Sequence, residues 1–174
     1  MNEHRPGTIR TFTGLYIDPW EPDFSVVRIK DIAHGLANQC RFNGHSRFFY
    51  SVAEHSVIVS KLVPPELALW GLLHDAPEYI LGDCVTPIKA KLPDFQDLED
   101  QWMVQISSRY IADDKYWNVV PGEVKAADAE ALAIELHHLL GHGPKPETPH
   151  GLLPRSLEPH KAEHEFLQRF MELI

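Results

Sequence analysis

PELALWGLLHDAPEYIL, residues 65–81, is the most apolar helical stretch of the chain, and a His-Asp pair, His74-Asp75, sits inside it. Its apolar positions Leu67, Leu69, Trp70, Leu72, Leu73 and Ile80 fall nearly all round a helical period, which predicts one central, deeply buried helix over 65–81. Pro65 opens it and Gly82 stops it. An ionised aspartate among leucines is costly unless it is paired or faces a cation. A His–Asp hydrogen bond within the core would meet that cost. So would a metal ion, since Asp brings negative charge and His a neutral nitrogen.

Upstream, Ser51 caps a helix over 51–62, with Glu54 placed to complete a capping box. Residues 41–50, RFNGHSRFFY, read as a loop centred on Gly44. Asp31 reads as the N-cap of a helix over 31–40, with Ile32, Leu36 and Ala37 on one face. Residues 8–30, rich in Thr, Phe, Tyr, Ile and Val, read as two short strands or a small hairpin. Downstream, a short turn or helix lies around 88–92. Helical patterns then follow over 95–111 (Phe95, Leu98, Trp102, Met103, Ile106, Tyr110), 122–140, and 159–173, where Phe166, Phe170, Met171 and Ile174 share a side. The proline-rich 142–158 stretch is a long loop. The expected fold is mostly α: a single domain of about six helices with a small N-terminal β element. Residues 1–30 hold the β segment, 31–140 the helical core, and 141–174 the loop and last helix.

The 174 residues suffice for one domain with its own core, and 44% apolar with 24% charged residues is ordinary for a soluble globular chain. A net charge of −9 argues against nucleic acid as a partner, because that affinity comes from neutralising phosphates. No run approaches the ~18 apolar residues of a membrane span, and the polar start shows no secretory signal. Cys40 and Cys84, with no CxxC spacing, fit a reducing cytoplasm.

Eleven histidines are many for this length. His55, on the 51–62 helix, read alone is a satisfied core histidine. Asp128, on the 122–140 helix, read alone is an exposed acid. Taken with His74 and Asp75 they supply two imidazoles and two carboxylates from three helices, a donor set that suits Mn, Fe, Co, Ni or Zn better than Ca. His138 and His142 are spaced i,i+4 but lack the following Glu of a zinc helix and read as a helix-end cluster. His4, His150, His160 and His164 read as surface residues.

The order His55, then His74-Asp75, then Asp128 resembles the HD-domain metal-dependent phosphohydrolases. The segments Ser51-Val-Ala-Glu-His55-Ser, Leu73-His74-Asp75-Ala76-Pro77-Glu78, Gly82-Asp83, Thr86-Pro87-Ile88-Lys89 and Val124-Lys125-Ala-Ala-Asp128 resemble the small nucleotidase branch of that superfamily. That branch includes bacterial 5′-deoxynucleotidases and phage deoxynucleoside triphosphohydrolases. The resemblance covers roughly 31–130 and implies an HD-type helical fold. It implies that His55, His74, Asp75 and Asp128 hold one divalent metal (Mn, Co, Zn, Ni or Fe, with Mg also admissible). Glu78 would handle the proton of the attacking water, and Asp83 would help position that water or the sugar. Arg41, Lys89 and Lys125 would bind phosphate, with Arg47 a competitor for Arg41, and Phe42 would stack on base or ribose. Tyr79 and Trp20 are further candidates for base contact. The further His ligands of binuclear relatives are missing, so one metal is expected.

The implied activity is 5′-nucleotidase-like hydrolysis of (deoxy)nucleotides, with triphosphate release from a (deoxy)nucleoside triphosphate as the alternative. A non-catalytic nucleotide-sensing HD module and a purely structural helical interaction protein are the readings of other classes. The expected partners are a nucleotide substrate and further copies of the chain, in a bacterial or phage-infected cytoplasm.

Overall fold

The chain enters the fold through a hairpin. In the computed structural model, which describes residues 6–111 and 120–174 (the side chain of His150 aside), β1 (Ile9–Arg10) pairs antiparallel with β2 (Tyr16–Ile17). Asp31 is not the helix cap that its position suggests: α1 (Ile29–Asn38) starts two residues earlier. Asp31 lies buried in its first turn and accepts from the Thr13 amide and hydroxyl, each at 2.7 Å. It therefore pins the hairpin to the helix, because a buried carboxylate is spent where donors are fixed.

Ser51 caps α2 (Val52–Leu62), accepting from the Glu54 amide at 3.2 Å. The reciprocal half of the capping box is not made. The Glu54 carboxylate instead accepts from the Arg155 and Leu157 amides at 2.6 and 2.8 Å, tying the long 142–158 loop to the start of α2. Within this loop only a 3-10 turn at Pro149–Gly151 is regular. Glu54→Ala is expected to cost about 1–3 kcal/mol, since two part-buried N–H groups lose a charged acceptor. Hydrogen exchange should accelerate at residues 155 and 157, and a variant with wild-type melting and exchange would contradict the latch.

The helix buried on every side is α2, not the 65–81 segment. Val52 to Ser60 are all buried. Its serines hide their hydroxyls on the helix itself, Ser56 on the Val52 carbonyl and Ser60 on that of Val57, which lets a stretch with polar letters occupy the core. The 65–81 segment is largely buried from Leu67 on but is not one helix. A 3-10 turn at Pro65–Leu67 leads into α3 (Ala68–Leu73), and α4 spans Glu78–Leu81. Between them Ala76, Glu78 and Tyr79 donate to Leu73, Asp75 and Ala76, three residues back. Pro77 is the cause: it has no N–H to continue the ladder and disfavours α geometry at the residue before it.

Two glycines bring these pieces close. A Cβ at Gly71 would stand 2.9 Å from the Ser60 Cα, so glycine lets α3 lie against α2. A Cβ at Gly35 would meet the Tyr79 Cβ at 2.9 Å and its Cα at 3.1 Å, so glycine lets α1 lie against α4. Gly35→Ala gains up to about 1 kcal/mol in helix propensity. The collision is with backbone that cannot rotate away, so a net loss of about 1–3 kcal/mol is expected. A thermal melt checks the sign: a rise in Tm would contradict it.

The remainder is α5 (Thr86–Lys89), α6 (Pro93–Tyr110), α7 (Gly122–Leu140) and α8 (Pro159–Leu173). The last two keep the bounds that the sequence predicts. Left-handed Gly141 ends α7. On α8 the buried side is Ala162, Phe166 and Phe170, whereas Met171 and Ile174 are exposed rather than packed beside them. His160 and His164 are exposed as expected, while His4 lies outside the described residues. The protein is mostly α-helical, one domain with a small two-stranded sheet near the N-terminus. Among the described residues no helix is long and apolar enough to cross a membrane.

Candidate metal centre

Three helical elements bring four of the expected side chains to one point. His55 comes from the first turn of α2, His74 and Asp75 from the turn after α3, and Asp128 from α7. The Nε2 atoms of His55 and His74 are 3.3 Å apart. Asp75 Oδ2 lies 3.2 Å from the His74 nitrogen and 3.5 Å from that of His55. Asp128 Oδ1 lies 3.1 Å from His55 Nε2 and 3.9 Å from His74 Nε2. His55, His74 and Asp75 form a group in which one ligand atom of each lies within 4.8 Å of the others; Asp128 approaches the two nitrogens but falls outside that group.

The tautomers follow from the opposite ring edges. His55 Nδ1 is 2.6 Å from Glu135 Oε1, and His74 Nδ1 is 2.8 Å from the Gly71 carbonyl. Carboxylates and carbonyls only accept, so each Nδ1 carries the proton and donates it. Nε2 is then the ring atom that each imidazole turns toward the other and toward the two carboxylates. Two carboxylates facing two imidazole nitrogens favour a positive charge among them, which a proton on Nε2 or a metal ion could supply. The 3.3 Å separation also matches the roughly 3.3 Å between two nitrogens of a tetrahedral ion with bonds of about 2.0–2.1 Å. The donor set therefore fits a divalent transition metal.

The same carboxylates act on the His55 ring. Burial and the Arg41 charge push His55 down, yet Glu135 and Asp128 outweigh them and draw it up to about 9. Burial works against Asp75, but His74, His55 and Arg41 hold its carboxyl far below the usual carboxylate range. Asp128 is likewise lowered against burial by its bond to His55.

Glu78 stands at the first turn of α4, buried, with Oε2 lacking a hydrogen-bond partner among the described residues. Gln39 donates to its carbonyl at 2.7 Å and so fixes the backbone that presents it. Burial first, then the charges of Asp75 and Asp83, push the Glu78 carboxyl well above its ordinary value. Asp83 is half-buried, and burial raises it against the pull of Arg41.

Arg41 is the expected cation that reaches the centre. Its Nη1 lies 3.5 Å from Asp75 Oδ2, and its other face is paired with Glu135. Lys89 is bound to Glu99 at 2.8 Å and stands 3.9 Å from Glu78. Lys125 is exposed one turn before Asp128, with no ion pair to the cluster among the described residues. Phe42 is half-buried, with the Arg41 guanidinium 5.5 Å from its ring centre. Phe42, Asn43 and Gly44 all take positive φ (58°, 49° and 76°), a strained turn beside the centre. Trp20 is 71% exposed, and Tyr79 packs edge-on against Trp102. A cavity of about 120 Å³ opens from His74 and Asp75 toward Glu78, Lys89, Glu99 and Met103.

Glu135 is the residue that sequence reasoning misses. It is fully buried on α7 and bonds His55, Tyr50 (2.8 Å) and Arg41. Its signal is an acid two turns after Asp128 on an otherwise Ala- and Leu-rich helix.

No protein-family profile matches the chain. It is 41% identical over 133 residues to the uncharacterized protein YfdR of Escherichia coli, an alignment covering 75% of this chain and 71% of YfdR. It is 31% identical over 185 aligned positions to the uncharacterized protein RCAP_rcc00048 of Rhodobacter capsulatus, covering 95% of this chain and 94% of that one. At these identities and lengths the chain belongs to the family of YfdR and RCAP_rcc00048.

Proposed function

We propose that the chain is a metal-dependent phosphohydrolase of the HD type that cleaves (deoxy)nucleotide 5′-phosphates. The observation that carries this reading is the convergence of the Nε2 atoms of His55 and His74 with Asp75 and Asp128. His55, His74, Asp75 and Asp128 would hold one divalent ion of the Mn, Co, Zn, Ni, Fe or Mg group. Such an ion lowers the pKa of a water and polarises a phosphoryl oxygen.

The chain's own groups supply the rest. Glu78 Oε2, unpartnered among the described residues and on a carboxyl that burial pushes well above its ordinary value, accepts the proton of the attacking water. The water oxygen bonds phosphorus, the P–O5′ bond breaks, and the proton passes to the leaving O5′. Arg41 is held flat by its pairs to Asp75 and Glu135, a fork suited to phosphate oxygens. It is the one cation within ion-pair reach of the ligand set among the described residues, since Lys89 is engaged by Glu99. A single cradle supports release of one phosphate over release of triphosphate. Cys40 and Cys84 are both free, in keeping with a reducing cytoplasm. Light scattering of the purified protein tests the homo-oligomer that belongs to the same reading.

The test is phosphate, triphosphate and nucleoside release from mono-, di- and triphosphates, ribo and deoxy, with Mn, Co, Mg, Ni or Zn. Metal-dependent release of phosphate and nucleoside from a monophosphate is expected. Triphosphate as the product would shift the reading to the triphosphohydrolase. Nucleotide binding without turnover in any metal would overturn hydrolysis in favour of a sensor.

A further inference from the structure

We propose that Glu135 is a positioning residue that locks the anion-binding arm to the metal centre, so that both are set by one buried carboxylate. Its two oxygens divide the work. Oε1 accepts from His55 Nδ1 at 2.6 Å and from the Tyr50 hydroxyl at 2.8 Å. Oε2 accepts from Arg41 Nε at 3.2 Å and stands 3.1 Å from Nη2. The carboxylate and the His55 ring are wholly buried, and Arg41 is 11% exposed, so water does not compete for these bonds.

The first oxygen fixes which edge of His55 faces the centre. Without an acceptor at Nδ1 the proton can move to Nε2, and the ring then presents N–H where a lone pair is needed. The second oxygen fixes two of the five guanidinium N–H groups along one edge, while Nη1 faces Asp75. That leaves the rest of the fork oriented over the ligand set. Tyr50 comes from the far end of the 41–50 loop and Arg41 from its near end, and the Arg41 amide bonds the Tyr50 carbonyl at 2.9 Å. Glu135 thus also closes the base of the strained loop that carries the arm. This inference rests on the metal-centre reading but not on turnover.

The experiment compares wild type with Glu135→Gln for Zn²⁺ affinity (competition with a chromophoric chelator) and for inorganic phosphate binding to the Zn²⁺-loaded protein. Histidine side-chain ¹⁵N spectra of the metal-free protein, taken at a pH above the raised His55 value where the ring is neutral, report the His55 tautomer. Glu135→Gln is expected to weaken Zn²⁺ about 10–100-fold, to weaken phosphate by a similar factor, and to remove the pure Nδ1–H signature of His55. Glu135→Asp should recover part of the Zn²⁺ affinity, because it keeps the charge one methylene short. Unchanged Zn²⁺ affinity, or weakened Zn²⁺ with unchanged phosphate binding, would overturn the proposal. Should Glu135→Gln fail to fold, the double variant Arg41→Gln/Glu135→Gln removes the buried charge together with its partner and carries the same Zn²⁺ and tautomer readouts. A wild type that binds Zn²⁺ yet hydrolyses no nucleotide would sink the hydrolase reading and leave this comparison intact.

Discussion

Asp75→Ala is expected to reduce metal-dependent phosphate release by at least about 10³-fold, the scale of the several kcal/mol that a catalytic ion contributes. The argument is one of charge. His55 and His74 bring neutral nitrogens, so only Asp75 and Asp128 offset a divalent ion, and Asp75 is within 3.5 Å of both Nε2 atoms and of Arg41. Its removal leaves Arg41 facing the ion without a screen. Metal affinity and turnover should therefore fall together. The melting curve should show it independently of any substrate: metal raises the Tm of a protein that binds it only when folded, and that rise should vanish in Asp75→Ala.

The metal-free protein carries a further sign. The folded-state pKa of Asp75 is depressed, so its contribution to stability is present above the unfolded carboxylate range and is lost as pH falls through the folded value. The stability gap between wild type and Asp75→Ala should accordingly be open at neutral pH and close in strong acid. Turnover by Asp75→Ala with a full complement of metal would sink the assignment.

The helices that sequence periodicity places best are those whose ends are marked by chemistry local to the chain. Pro121-Gly122 and Gly141 bracket α7, Pro159 opens α8, and Ser51 caps α2. His74-Asp75 stands out because an acid beside a His in an apolar helix needs a compensating partner. His55 and Asp128 read alone as a core histidine and an exposed acid, and join the pair only through the order that resembles a known family. What escaped was decided by distant partners. Asp31 looks like a cap until Thr13 arrives from the hairpin, and Glu54 looks like half of a capping box until residues 155 and 157 claim its carboxylate. Glu135 reads as one more acid on a helix with many, because the three groups that need it lie 80 or more residues away. Pro77 interrupts the single helix that the hydrophobic run around it predicts. The break it makes is what presents Asp75 and Glu78 together at the end of α3 and the start of α4.

Glu78→Gln should separate stability from activity. If Glu78 accepts the proton of the attacking water, the amide cannot replace it, and a loss of about 10²–10⁴-fold in kcat/KM is expected. Stability should move the other way. Burial, then Asp75 and Asp83, raise the folded-state pKa of Glu78 well above its unfolded value. For such an acid the favourable contribution is complete below the unfolded pKa and is lost as pH rises through the folded one. At neutral and alkaline pH the wild type either holds a proton against the solvent or buries a charge beside two others. Glutamine is neutral throughout and nearly the same shape. Metal-free Glu78→Gln should therefore melt at a higher temperature than wild type at pH 7–9, with the difference shrinking toward pH 4. A variant that melts below wild type across this range would mean that Glu78 holds the fold together, chiefly through its 3.9 Å approach to Lys89. The activity loss would then be structural. A variant that is more stable and inactive would place the carboxylate where the chemistry, and not the fold, requires it.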